Sequence, residues 1–231
     1  MSLRFSCFVT GTDTEIGKTL ISATLLHHLS LRGLRTIGMK PVAAGVTVIN
    51  GIARNDDVDA LTAASNIDVP RNLTTPYLLH SAAAPHLAAV IDGVTISIDH
   101  IIECYARLVE KAEAIVVEGV GGFCVPLAED DDTANLAQRL NLPVVLVVGM
   151  RLGCLNHALL TAQAIRSRGQ VLAGWVANCV PPQMPYHHEN IATLQARLQA
   201  PLLGIVPTLS DATAAAAAQF IQPKLIEGWP E

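Results

Sequence analysis

The chain has 231 residues, 51% of them apolar but only 4% aromatic, with a formal charge of −5 and a pI near 5.9, a balance that excludes a polyanion-binding surface and so nucleic acid as a partner. That length suits one α/β domain spanning residues 1–231 and leaves little for a second. Five scattered cysteines without a C-x-x-C pair exclude a disulfide framework, and no stretch has the length of a membrane span or a secretory leader, so a cytoplasmic protein without a membrane partner is expected.

Phe5–Thr10 is a short apolar run that reads as a strand, followed by a glycine-containing loop and a helix from about Lys18 to Arg32, stopped at Gly33. Thr36–Lys40 reads as a second strand. Residues 57–65 and 98–111 have helical periodicity, and Ala114–Glu118 is a buried strand ending at a carboxylate. A helix over 133–140 leads through Pro143 into the wholly apolar strand Val144–Val148, then come helix 156–168 and strand Val171–Asn178. Helix 188–199, strand Leu202–Val206 and an alanine-rich helix over 212–221 complete the pattern. Apolar strands alternating with helices predict an α/β fold, a mostly parallel sheet with helices on both faces of the P-loop NTPase kind. In such sheets ligands sit beyond the carboxyl ends of the strands, so the residues that follow each strand carry the chemistry.

The first of these segments is Gly11-Thr-Asp-Thr-Glu-Ile-Gly-Lys-Thr19. Gly17 lets the backbone approach an anion, successive N–H groups point inward, and the following helix adds its positive end. Lys18 reaches β- and γ-phosphates and the Thr19 hydroxyl suits Mg²⁺, although the first glycine, Gly11, stands one place earlier than in the common G-x-x-x-x-G-K-[ST] pattern. Glu118 ends an apolar strand where a metal-side acid belongs, and Gly119, Gly121 and Gly122 after it allow close backbone approach. Asp56, Asp57 and Asp59 are alternative third acids, each equally a helix-start charge. Lys40 ends the second strand on the same edge, either as a surface charge or to balance negative charge developing on phosphates.

Together these residues resemble the dethiobiotin synthetase family over nearly the whole chain. The resemblance rests on Thr10–Thr19, Lys40-Pro-Val-Ala43, Val117-Glu-Gly-Val-Gly-Gly122, Gly153-Cys-Leu-Asn-His-Ala-Leu-Leu-Thr-Ala-Gln163 and Gly174-Trp-Val-Ala-Asn178. It implies that CO2 adds to the 7-amino group of 7,8-diaminononanoate, that ATP phosphorylates the carbamate, and that the neighbouring amine closes a cyclic urea, releasing ADP and phosphate. By that resemblance Lys18 and Lys40 stabilise carbamate and phosphoryl group, with Thr14 near the amines. Thr19, Asp57 and Glu118 hold Mg²⁺, with Arg54-Asn-Asp-Asp57 matching the family's R-N-x-D and so favouring Asp57. Glu15, Ile16, Gly17, Leu20, Gly119, Val120 and Gly121 line the nucleotide, and Asn178 and Cys179 with Pro207, Thr208 and Leu209 take the base. Ala44 stands where the family commonly has serine, and the stretch after Pro207 lacks a glutamate that some members place near the ribose, where Asp211 substitutes. Gly153, Cys154, Leu155 and Asn156 hold the substrate carboxylate from the partner subunit, which implies a homodimer with sites at its interface. Without the resemblance, Asn156 reads as an ordinary helix cap.

Two other readings compete. A P-loop amide synthase needs an ammonia source that this short chain does not offer, and a partitioning or septum-site ATPase switch carries a lysine where this chain has Asp13. The pairs His27-His28 and His187-His188 are helix neighbours pointing about 100° apart and are not expected to converge on a metal. Direct catalysis by His86 is not expected, for want of a Ser or Cys partner, and the acidic run Glu129–Asp132 is expected to cap a helix at Asp132.

Overall fold

In a computed structural model, which describes residues 2–181 and 184–230, six of the apolar runs lie side by side in one sheet. In chain order the elements are β1 (Phe5–Gly11), α1 (Lys18–Ser30), β2 (Thr36–Met39), β3 (Val42–Ala44), β4 (Thr47–Ile49), β5 (Ile52–Arg54), α2 (Asp56–Ala64), α3 (Arg71–Thr74), β6 (Tyr77–Leu79) and α4 (Pro85–Asp92). They continue as α5 (Ile98–Val109), β7 (Ala114–Glu118), α6 (Thr133–Leu140), β8 (Val144–Gly149), α7 (Cys154–Ser167), β9 (Leu172–Asn178), α8 (His187–Arg197), β10 (Leu202–Val206) and α9 (Ala214–Ala218), with a 3-10 turn at Pro223–Leu225.

The main sheet has the order β10-β9-β8-β1-β7-β2 and every pairing in it is parallel. Parallel strands covered on both faces need no polar side, which is why β7 and β8 are buried at every position. Alternate residues feed opposite cores. Ile115, Val117, Leu146 and Val148 pack with α5, α6, α7 and α8, while Ala114, Val116, Val145 and Val147 pack with α1 and with Leu61 of α2. Helices therefore cover both faces, as the alternating pattern predicts.

The sheet grows in opposite directions from β1, to β7 and β2 on one side and to β8, β9 and β10 on the other. That reversal opens a crevice at the carboxyl end of β1, where an open α/β sheet binds its ligands. The phosphate loop, the acid of β7 and the turn after β8 all meet there.

Several sequence-based boundaries shift. Helix α7 begins at Cys154 with Gly153 as its N-cap, so Asn156 lies inside the first turn and is not the cap. Lys40 follows β2 and does not end it. Asp132 caps α6, accepting the Asn135 N–H while the Asn135 side chain accepts the Asp132 N–H. The segment between Pro41 and Asp92 holds β3 and β6 paired in parallel, the β4–β5 hairpin and helices α3 and α4, none of which the periodicity revealed. Strands of three residues are too short to show a period.

Close packing between sheet and C-terminal segment gives a test. A Cβ on Gly204 of β10 would lie 2.0 Å from the backbone carbonyl oxygen of Phe220, which no side-chain rotation can relieve. Gly204→Ala is expected to lower the unfolding free energy by about 2–3 kcal/mol. The urea midpoint should fall at unchanged slope, and an unchanged midpoint would contradict the packing.

Candidate functional site

The phosphate loop is built by three fittings between neighbouring strands. Thr12 donates its N–H to the Val147 carbonyl at 3.0 Å and accepts the Gly149 N–H on its hydroxyl at 3.4 Å, which zips the loop to the end of β8. Ile16 is buried beneath the loop against two glycines; a Cβ at Gly11 or Gly149 would lie 2.7 Å or 2.4 Å from its side chain. Asn178, buried at the end of β9, donates its side-chain N–H to the Ile16 carbonyl at 2.7 Å, and its amide nitrogen would be 2.2 Å from a Cβ on Gly17. Gly17 adopts φ 86°, which favours glycine, and caps α1 with no side chain on the helix amides and no acid in the first turn. The start of α1 is thus left open to an anion. Thr14 and Glu15 are exposed at the crest, with the Thr14 hydroxyl over Gly121.

Two lysines and two carboxylates converge behind the loop. Lys40 Nζ, nearly fully buried, donates to Glu118 Oε1 at 2.6 Å, to Asp57 Oδ2 at 2.8 Å and to the Gly119 carbonyl at 3.2 Å. The Thr19 hydroxyl lies 2.7 Å from Asp57 Oδ1 and 2.9 Å from Glu118 Oε1. Neither Asp56 nor Asp59 enters this group: Asp59 pairs with Arg54 at 2.7 Å. Burial on its own lowers the pKa of Lys40, but Glu118 and Asp57 outweigh it and hold the ammonium above its ordinary value. Burial pushes Asp57 up, and Lys40, by charge and hydrogen bond, more than reverses this. Among the described residues no carboxylate contacts Lys18. Its Nζ donates to the Asp13 carbonyl at 2.7 Å, and burial, followed by repulsion from Lys40, brings its pKa down to about 8 against the opposing pull of Glu118 and Asp57. It remains a cation at neutral pH.

One cavity borders this centre and a second lies past the ends of β9 and β10. The first, of about 780 Å³, starts at Thr19, Leu20 and Asp57, runs along α1 to Asn66, and is walled by Ala212 and Ala214. The other, about 460 Å³, is lined by Cys179, Pro207 and Thr208 together with Met150, Met184 and His187. Leu209 packs instead with the core beneath α1. Ala44, on β3, is joined to the site by Asn55, whose side chain donates to the Ala44 and Gly45 carbonyls at 3.3 and 2.8 Å and caps α2, the helix that carries Asp57. Gly119, buried, and Val120 and Gly121, half-buried, follow Glu118 along the same rim.

The turn after β8 carries Gly153, at φ 96°, then Cys154, Leu155 and Asn156 in the first turn of α7, which has neither a capping side chain nor an acid. Cys154 is buried, Leu155 half-buried and Asn156 exposed, and Leu152 beside them is 94% exposed.

A family described as an AAA domain matches residues 6–216. The ATP-dependent dethiobiotin synthetase BioD of Janthinobacterium sp. (strain Marseille) is 56% identical over 100% of both chains. The chain belongs to the dethiobiotin synthetase family. Among solved structures, MinD cell division protein from Aquifex aeolicus matches with a TM-score of 0.57 at 14% identity, covering 95% of this chain and 94% of that one. A ParA family ATPase from Chlorobium tepidum TLS gives 0.56 at 14% identity, covering 95% and 92%. At that identity these two establish the shared P-loop architecture and nothing about activity.

Set against the dethiobiotin synthetase pattern, the structure gathers Lys18, Thr19, Lys40, Asp57, Glu118 and Asn178 around one loop. Sequence reasoning missed Gly149 and Arg151, although they stand at and just after the end of β8, where the sheet rule directs attention, and it quoted Asn55 within a motif without seeing its role. It also missed Met150, Met184 and His187 in the second cavity. The His187 and His188 rings lie 3.8 Å apart, closer than helix geometry implies. Among the described residues no three or more His, Cys, Asp or Glu side chains form a metal-holding group, and no helix is long and apolar enough to cross a membrane.

Replacing Lys40 strands a fully buried Glu118 beside Asp57. Lys40→Met is expected to lower the stability of the metal-free protein by about 3 kcal/mol. Urea unfolding in EDTA measures it, and an unaltered curve would mean that the ammonium does not neutralise the pair.

Proposed function

We propose that this chain is an ATP-dependent dethiobiotin synthetase, a C–N ligase of biotin synthesis. It carboxylates 7,8-diaminononanoate with CO2 and closes the ring at the expense of ATP, giving dethiobiotin, ADP and phosphate through a phosphorylated carbamate. The observation that carries this reading is the juxtaposition of a phosphate loop with a second buried lysine, Lys40, held on the two carboxylates that face Thr19. A P-loop switch of the MinD or ParA kind shares the fold, but 56% identity over the full chain favours the synthetase.

The site suits Mg²⁺. Glu118 Oε2 is buried without a hydrogen-bond partner, and the other oxygens of the group are one hydroxyl and one further carboxylate, a hard donor set of the size that Mg²⁺ accepts when phosphates and water complete its shell. Thr19, Asp57 and Glu118 would hold the ion, which when bound neutralises phosphate charge.

The residues of the chain then divide the work. Backbone amides from Glu15 to Leu20 and the start of α1 seat the phosphates, and Lys18 leaves the Asp13 carbonyl to meet them. Lys40 turns from its carboxylates toward the carbamate and the transferring phosphoryl group, where a preplaced cation stabilises charge as it develops. Thr14, above Gly121, orients the amines; Gly119, Val120 and Gly121 line the nucleotide side of that rim. Asn178, already fixed on Ile16, turns its remaining carboxamide atoms to the base, with Cys179, Pro207 and Thr208 around it. Ala44 contributes only backbone to the substrate.

The start of α7, where Gly153 and Asn156 are exposed with Leu152 beside them, fits a homodimer in which the turn Gly153 to Asn156 receives the substrate carboxylate of the neighbouring protomer. A single P-loop domain of 231 residues would then complete its site by dimerising in the cytoplasm.

Phosphate release with Mg²⁺-ATP is expected to rise strongly only when diaminononanoate and bicarbonate are both present. Lys40→Gln should lose at least about 100-fold of that rate while still binding nucleotide. Equal phosphate release without the diamine would overturn the assignment.

A further inference from the structure

Asp13 is the residue of the phosphate loop that bonds in three directions. Its backbone carbonyl accepts Lys18 Nζ at 2.7 Å, one carboxylate oxygen accepts the Thr14 N–H at 2.7 Å, and the other is paired with the Arg151 guanidinium. Arg151 belongs to the turn between β8 and α7, and its carbonyl accepts the Cys154 N–H at 3.0 Å. One side of this pair therefore faces the lysine that meets the phosphates. Its other side holds the turn that carries Gly153 to Asn156. Neighbouring contacts keep the intervening backbone stiff: Met150 N–H donates to the Asn178 carbonyl at 2.8 Å, and Gly149 is tied to Thr12.

We propose that Arg151 is a positioning residue that, through Asp13, couples the phosphate loop to the opening turn of α7, so that bound nucleotide strengthens binding of the diamine carboxylate on that turn. The proposal rests on the reading of the turn as the carboxylate seat given above. When phosphates draw Lys18 off the Asp13 carbonyl, the loop closes on the nucleotide and Asp13 keeps only its carboxylate bonds. The Arg151 link then carries the ordered loop geometry to the turn. By reciprocity, the diamine strengthens nucleotide binding by the same factor. In a dimer whose turns reach across the interface, nucleotide in one site favours diamine in the other. Both side chains are about half exposed, so the effect belongs in the range of a well-oriented surface pair, about threefold to fivefold, and it weakens as salt rises.

The test uses the full-length protein with Mg²⁺. The diamine is titrated calorimetrically with and without a non-hydrolysable ATP analogue, in wild type, Arg151→Gln, Asp13→Asn and the double variant. Wild type should bind diamine more tightly when the analogue is present. Each single variant should lose about threefold to fivefold of that enhancement, and the double variant no more than either, as expected for two residues acting through one contact. KM for the diamine should rise accordingly in Arg151→Gln, while its kcat at saturation and its thermal midpoint stay near wild type. In wild type the enhancement should shrink between low and high salt. An enhancement that survives intact in Arg151→Gln overturns the proposal, as does an equal affinity loss with and without the analogue. Diamine-stimulated phosphate release in wild type alongside such a result leaves the synthetase reading standing. If wild type neither binds nor responds to the diamine, both fall.

Discussion

The buried ammonium of Lys40 on Glu118 and Asp57 is the interaction around which the crevice is organised. Glu118 is wholly buried and Asp57 partly so; taking a carboxylate out of water costs several kcal/mol, which a charge held at hydrogen-bond distance offsets. Lys40 comes just after β2, Glu118 from the end of β7 and Asp57 from the first turn of α2, so one contact fixes three elements at the same sheet edge. With Lys18 beside them the four side chains sum to zero. A neutral cluster can exchange partners as a charged substrate enters, because each lysine has somewhere to rest beforehand: Lys40 on carboxylates, Lys18 on the Asp13 carbonyl.

The sheet's topology explains why these groups meet. β1 lies between β7 and β8, and the chain leaves it in opposite directions, so no helix crosses above its carboxyl end. The loop filling that space is shaped as much by missing side chains as by present ones. Ile16 occupies room that a Cβ at Gly11 or Gly149 would take, and the Asn178 amide occupies room beside Gly17. Three strands thereby contribute to one loop conformation. The loop is held in shape before any ligand arrives, and pre-ordered donors need not be reorganised when charge develops.

Legibility in the sequence followed the length of the signal. The six strands of the main sheet and the helices α1, α5, α6, α7 and α8 showed in apolar runs and periodicity, because long buried elements repeat their pattern several times. Residues 41–92 were opaque apart from α2. Strands of three residues and a four-residue helix carry no period, and the hairpin exposes Val48, Ile49 and Ile52, reversing the usual relation of apolarity to burial. At the site, the residues with distinctive chemistry at strand ends could be picked out: Lys18, Thr19, Lys40 and Glu118. Asp57 could not be separated from Asp56 or Asp59 by physics alone, because which of three acids in a helical first turn faces the sheet depends on where the helix starts. Asn55 decides that by capping α2 while holding the Ala44 and Gly45 carbonyls, a pair of contacts that no local pattern encodes.

The same logic separates this chain from other proteins of its architecture. A shared fold at 14% identity preserves the architecture and leaves open what stands opposite the phosphates. Here that ground is held by Lys40 and its two acids on one side and by the turn from Arg151 to Asn156 on the other. The loop position that carries a lysine in switch-type relatives is Asp13, and the cation that meets it, Arg151, comes from the turn after β8 of the same chain. A positive charge is thus placed near the loop from a different element, one that continues directly into an uncapped helix start. In this chain the equivalent position is spent on holding its own loop to a neighbouring turn, an arrangement suited to bringing a second small molecule up to the phosphates.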